Sequence, residues 1–236
     1  MKNTIIIDFN GSVSAGKTTI AKALAALLEK RGFSVLDYFN KSEKARPLSA
    51  FFSTFFLMRL CVWRLFFYYV RFAFRLAPVS RELLQYCFIA YKMFAVANYH
   101  YRRREVDIFI FDQGLLQNLV AVTYNETSPR PLPPDSPQVK KITAGLLRCF
   151  NGFLFVNTEI PTETALERIA ARTHGGGPLD RLSHEKRAYL MNTLAKSYES
   201  IRAAGTRAAG VTIDARCSPE ENAAAILAHL EARGQL

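Results

Sequence analysis

Short apolar runs alternate along the chain with segments of helical periodicity. Thr4-Ile5-Ile6-Ile7-Asp8-Phe9 is the first run, of the kind buried on both faces of a parallel sheet, and Ile20 to Leu28 follows with apolar residues at helical spacing. Lys30-Arg31-Gly32 reads as the end of that helix and Phe33 to Phe39 as a short second strand. Strand, helix and strand in close succession make a βαβ unit, which dictates a parallel sheet with right-handed crossovers. Further strands are expected at Val106–Asp112, Gly152–Val156 and Gly210–Asp214. Helices are expected over 138–149 and 161–172 and from 179 to about 203, and Ser218-Pro219-Glu220-Glu221 caps and starts a last one. The fold class is α/β. Pro129, Pro131, Pro133, Pro134 and Pro137 mark 125–137 as a surface excursion.

Between the first strand and the first helix lies the segment Gly11, Ser12, Val13, Ser14, Ala15, Gly16, Lys17, Thr18 and Thr19. Its spacing is that of a phosphate-binding (Walker A) loop. The glycines tolerate the dihedrals that turn backbone N–H groups inward, and the helix behind presents its positive end to an anion. In such a loop Lys17 bridges the β- and γ-phosphates of a triphosphate such as ATP, and the Thr18 hydroxyl ligates Mg2+. Asp112, at the tip of the third strand, is placed either as the acid that completes the Mg2+ site or as a residue that merely starts a turn. Asp37, near the end of the second strand, is either an acceptor-side carboxylate or an exposed loop acid. Arg168, Arg172 and Arg181 flank Thr173-His174-Gly175-Gly176-Gly177-Pro178, and arginines on either side of a glycine stretch describe a lid over about 168–182. The alternative is solvated arginines beside a loop.

Composition adjusts this picture in one region. The chain has 236 residues, is 50% hydrophobic and carries a net charge of +11, with a sequence pI near 9.7. Residues 1–236 read as one domain that suits anionic partners. Most of the excess charge lies in a basic, aromatic helical insertion at about 41–104, where Arg64, Arg71 and Arg75 would share one stripe of a helix otherwise rich in aromatics. Arginine interrupts every stretch long enough to cross a bilayer. Two long helices covering the sheet edge, with arginines facing an acceptor cleft, is one reading. A surface that lies on anionic lipid or binds a lipid-linked acceptor is another, and nucleic acid is the least favoured partner. Cys61, Cys87, Cys149 and Cys217 form no C-x-x-C, and the first strand begins too early for a cleavable signal sequence. A cytoplasmic setting, with peripheral membrane contact open, is the expectation.

Taken together, these residues resemble the thymidylate kinase-like branch of the P-loop nucleoside and nucleotide kinases. The similarity covers 4–40, 106–118 and 150–230, and its most specific parts are the loop and the run from Leu166-Glu167-Arg168 through Arg172 to Asp180-Arg181, with Tyr198 beyond. Ile213-Asp214-Ala215 with Ser218-Pro219-Glu220 is similar to the family's last strand and adenine-side loop. The resemblance implies a three-layer kinase fold with a five-stranded parallel sheet in the order 2-3-1-4-5 and a mobile lid. It implies ATP as phosphoryl donor with Mg2+, Lys17 and Thr18 on the phosphates and metal, Asp112 on the metal's water shell, Arg168 stacked near adenine, and Arg172 and Arg181 stabilising the transition state. A small nucleotide, nucleoside or other anionic molecule would be the acceptor, and a homodimer is one assembly open to it. The chain departs from the pattern at Gln113, where the family has arginine, and at Asn40-Lys41-Ser42-Glu43-Lys44, where it has an acidic, proline- and glycine-rich loop.

The lid reading is testable by kinetics. Arg172→Ala and Arg181→Ala are expected to depress turnover more than ATP affinity, because their charge acts in the transition state. Equal losses in turnover and affinity would reduce them to ground-state clamps.

Overall fold

The computed structural model describes residues 4–37, 58–77, 80–122, 136–171 and 182–236, with 204–209 described by backbone alone. Five strands form one sheet: β1 (Ile5–Gly11), β2 (Val35–Asp37), β3 (Ile108–Phe111), β4 (Phe153–Glu159) and β5 (Gly210–Asp214). All neighbours pair in parallel and the order is β2-β3-β1-β4-β5. Eight helices lie among the described residues: α1 (Lys17–Lys30), α2 (Leu60–Leu76), α3 (Arg81–Arg103), α4 (Leu115–Val122), α5 (Pro137–Cys149), α6 (Thr162–Ala170), α7 (His184–Ala209) and α8 (Pro219–Ala232).

Alternation along the strands divides the core into two chemically different halves. Ile5, Ile7, Ile108, Ile110, Leu154 and Val156 face one side, where α1 and α8 supply Ile20, Leu24, Leu28, Ile226 and Leu230. Ile6, Phe109, Phe111, Phe153 and Phe155 face the other, where α2, α3, α4, α5 and α7 pack. The phenylalanines contact one another along each strand, edge-on in the Phe109–Phe111 pair and tilted in the Phe153–Phe155 pair, with ring centroids 4.7 Å apart in both. Each ring fully removed from water contributes on the order of 2 kcal/mol, so this aromatic face holds down the whole second helical layer.

The insertion therefore covers a face of the sheet rather than its edge. Along α2, Val62, Leu65, Tyr69, Phe72 and Ala73 recur at helical spacing and are buried. Leu65 sits so close to α5 that a Cβ on Gly145 would lie 2.5 Å from its Cδ1. The buried Tyr69 hydroxyl accepts a hydrogen bond from Asn118 Nδ2 at 3.0 Å, and the same amide donates to Tyr86 O at 2.9 Å, tying α2, α3 and α4 together. At the start of α2, Arg59 donates through Nε to Asn98 Oδ1 and through Nη2 to Cys149 O, with its guanidinium 4.7 Å from the centre of the Tyr101 ring. Arg64, Arg71 and Arg75 fall opposite the buried stripe and are exposed. Among the described residues, no helix is long and apolar enough to cross a membrane.

Several boundaries differ from expectation. β4 runs on to Glu159 because it stays paired with β5 through that residue. α7 starts at His184 rather than near 179, because the Ser183 side chain caps it by accepting from Lys186 N. The expected lid residues Arg172 and Arg181 lie outside the described residues, as do the segment 38–57 and residues 125–135 of the proline excursion expected over 125–137, whose last residue, Pro137, instead opens α5 behind the Ser136 cap.

Asp8, inside β1, is fully buried against the helical layer. Its Oδ1 accepts from Leu115 N at 2.8 Å and its Oδ2 from Asn10 Nδ2 at 3.1 Å. Burial nevertheless dominates and pushes its pKa up to about 7, against the lowering effect of these bonds. A raised pKa means that the folded state holds the proton more tightly than the unfolded chain does. Asp8 thus adds stability below pH about 4 that is lost as pH rises through about 7. Denaturant midpoints measured across that range should fall more steeply for the wild type than for Asp8→Asn, which keeps an acceptor for Leu115 N. Parallel pH profiles would show that Asp8 does not titrate between those limits.

Candidate active site

The site is assembled where the carboxyl ends of β1, β2 and β3 meet the start of α1. β1 delivers the chain to Gly11, whose φ of 137° is open to glycine and whose Cβ, if present, would lie 2.1 Å from Thr158 Oγ1. The Thr158 hydroxyl donates to Asn10 O at 2.8 Å, locking the mouth of the loop to β4. Ser14 at φ 64° and Gly16 at φ 73° turn the loop back on itself, and Gly16 is also the N-terminal flank of α1. The loop and helix end thus form the concave run of backbone donors that suits phosphate. Lys17 is buried and folds over this concavity, donating from Nζ to Gly11 O at 2.9 Å and Ser12 O at 2.6 Å.

Thr18 is the first exposed position of α1, and its hydroxyl donates to Asp112 Oδ2 at 2.7 Å. Asp112 is positioned by the turn that leaves β3. Gly114 N donates to Phe9 O at 2.9 Å, and a Cβ at Gly114 would lie 2.5 Å from Asp8 Oδ1. Asp112 is buried, and its pKa is raised first by desolvation and then by the charge of Asp37, against the lowering effects of the Thr18 hydrogen bond and of Lys17. The remaining oxygen, Oδ1, is buried without a hydrogen-bond partner. A hydroxyl and a carboxylate in contact, with a second carboxylate oxygen unsatisfied beside them, is a donor set that fits Mg2+, which takes few protein ligands and completes its shell with phosphate and water. No group of three or more His, Cys, Asp or Glu side chains that could hold a metal is found among the described residues.

Asp37 is buried at 4% exposure, which removes the exposed-loop alternative, and its charge acts on Asp112. Lys17, Thr18, Asp112 and Asp37, expected from the sequence, are therefore brought together. Ser12, Val13, Ser14, Ala15 and Thr19 occupy the loop and the first turn of α1 as expected. Arg168, at the end of α6, donates from Nη1 to Ser14 O at 3.4 Å and from Nη2 to Ala215 O at 2.9 Å. It bridges the phosphate loop to the loop after β5, the side on which the adenine contact was expected. A hollow of about 360 Å³ opens beside the loop along the ends of β4 and β5, lined in part by Gly11, Ser12, Thr158, Tyr198, Arg202 and Asp214. Sequence reasoning missed Asp8, Asn10 and Thr158, the residues that fix the loop and the β3 turn, because polar residues inside an apolar strand carry no motif.

Strand order, the glycine loop and the paired Thr18 and Asp112 together define a P-loop kinase fold: a five-stranded parallel sheet between helices. No protein-family model matches the chain, and neither does any curated protein sequence. Among solved structures it is similar to deoxyadenosine kinase from M. mycoides with bound dATP, at 18% identity and a TM-score of 0.48, covering 96% of this chain and 99% of that one. The same enzyme with bound dCTP is similar at 16% identity and a TM-score of 0.45, covering 97% of this chain and 100% of that one.

Proposed function

We propose that this chain is an ATP-dependent phosphotransferase that moves the γ-phosphoryl group to a small acceptor, a nucleoside, a nucleotide or another small anionic molecule. The observation that carries the reading is the contact of Thr18 with Asp112 directly beside a lysine-bearing glycine loop. Each part has a purpose in phosphoryl transfer and none is needed by the fold: a buried carboxylate facing a hydroxyl and an ammonium costs stability unless a cation and an anion complete it. Loop N–H groups and the positive end of α1 bind the donor phosphates. Lys17 leaves its two carbonyl partners to meet the β- and γ-oxygens, where charge accumulates as the bond breaks. Thr18 and Asp112 would hold Mg2+, which neutralises phosphate charge.

The nature of the acceptor decides whether a base is required. A phosphate acceptor is already a nucleophile, so positioning and charge suffice. A hydroxyl acceptor needs a carboxylate to take its proton; Asp112 would be engaged by Thr18 and the metal, so we assign that task to the buried Asp37. A strictly thymidylate-type acceptor site is not proposed, since Gln113 stands where the acceptor-binding arginine of that branch would be.

The test is transfer from γ-labelled ATP to panels of nucleosides, nucleotides, sugars and polyprenols, with Lys17→Ala as control. The wild type should label one class, and Lys17→Ala should lower turnover by at least about 100-fold while its thermal unfolding changes little. Near-normal turnover in Lys17→Ala would overturn the kinase reading.

A further inference from the structure

The insertion buries one side of α2 and α3 and leaves the other side open, and what it leaves open is unusual. Leu60 is 65% exposed, Phe67 61% and Phe74 38%, and these three recur every seventh residue of α2, so they form one strip along the helix. The strip continues onto α3 through Leu84, 54% exposed, and Phe88, 53% exposed. Rings join the two helices: Phe67 stacks on Trp63 at 5.3 Å, Trp63 lies 6.3 Å from Tyr91, and Tyr91 stacks on Phe88 at 6.4 Å. This is a continuous apolar surface, not scattered exposed side chains.

Arg64, Arg71 and Arg75 run beside the strip on the flank of α2 turned toward α5. There Arg71 and Arg75 join Lys141, Tyr68, Phe72 and Gln138 around a recess of about 300 Å³, with Lys141 Nζ 4.5 Å from the centre of the Tyr68 ring. Neither α2 nor α5 contains an acidic residue, and Glu82, in the first turn of α3, is the only acid in the three helices. The recess also sits at the first turn of α5, the positive end of that helix.

We infer that this face is a docking surface for an anionic lipid bilayer, with Phe67, Phe74 and Phe88 entering the headgroup boundary and Arg71, Arg75 and Lys141 receiving lipid phosphate. Charge chooses this occupant over a second copy of the chain. A second copy seated on this face would bring the arginine row no carboxylate from α2, α3 or α5 other than Glu82, whereas a phosphate-bearing surface satisfies the row and accepts the rings. The inference is independent of the proposed phosphoryl transfer, because none of these residues belongs to the phosphate loop or its carboxylates.

Co-sedimentation with vesicles of equal parts phosphatidylglycerol and phosphatidylcholine, and with pure phosphatidylcholine vesicles, tests it on the full chain. Binding is expected to the anionic vesicles alone and to weaken at high salt. It should also weaken roughly fivefold for each of Arg64→Gln, Arg71→Gln and Arg75→Gln. Phe67→Ser with Phe74→Ser, changes at exposed positions, should abolish the binding that survives high salt. No binding to anionic vesicles, or equal binding to both compositions, would overturn the proposal. So would concentration-dependent dimerisation without lipid that Phe67→Ser removes.

Discussion

Where the chain leaves β3 it is stapled to β1 by two short hydrogen bonds, Gly114 N to Phe9 O at 2.9 Å and Leu115 N to Asp8 Oδ1 at 2.8 Å. The site depends on this staple. Asp112 lies two residues before it and Thr18 one loop beyond β1, so the 2.7 Å contact between them exists only because the two strand exits are held at a fixed offset. The same constraint explains two residues that a packing argument alone would reject. A carboxylate in the middle of an apolar strand is costly, yet it supplies the acceptor that Leu115 N would otherwise lack. Any residue larger than glycine at 114 would strike that carboxylate. Stability is given up locally so that the geometry of the candidate site is rigid.

The two faces of the sheet have separate tasks. The aliphatic face, closed by α1 and α8, supports the phosphate loop from beneath. The phenylalanine face carries the helical insertion, and the insertion in turn carries the basic, apolar outer surface. The two faces are joined through α4, whose Leu115 N meets Asp8 and whose Asn118 bonds Tyr69 of α2 and Tyr86 of α3.

Much of this was legible in the sequence. The loop spacing, the five apolar runs and the fifth strand at Gly210–Asp214 follow from residue type and period alone, because glycine dihedrals and the two-faced burial of β1, β3 and β4 leave few alternatives. The orientation of α2 was not legible. Aromatic residues occupy three sides of that helix, so its pattern does not say which side faces the sheet. Only packing against α3, α4 and α5 decides it, and that leaves Arg64, Arg71 and Arg75 exposed. Asp37 was equally undetermined, since a strand of three residues gives too little pattern to predict the burial of its last carboxylate. The contributions of Asp8 and Asn10 arise from contacts with residues more than a hundred positions away, Leu115 for Asp8 and Thr158 for the Asn10 carbonyl, which no local pattern encodes.

The central claim is that Thr18, Asp112 and the glycine loop form a site for a metal-bound triphosphate. Calorimetric titration of ATP with and without Mg2+ tests it most directly, comparing the wild type with Thr18→Ala and Asp112→Asn. Mg2+ is expected to tighten ATP binding to the wild type, and each substitution to remove this gain while metal-free binding to the loop persists. ATP affinity that is indifferent to Mg2+ in the wild type, or a gain that survives both substitutions, would contradict it.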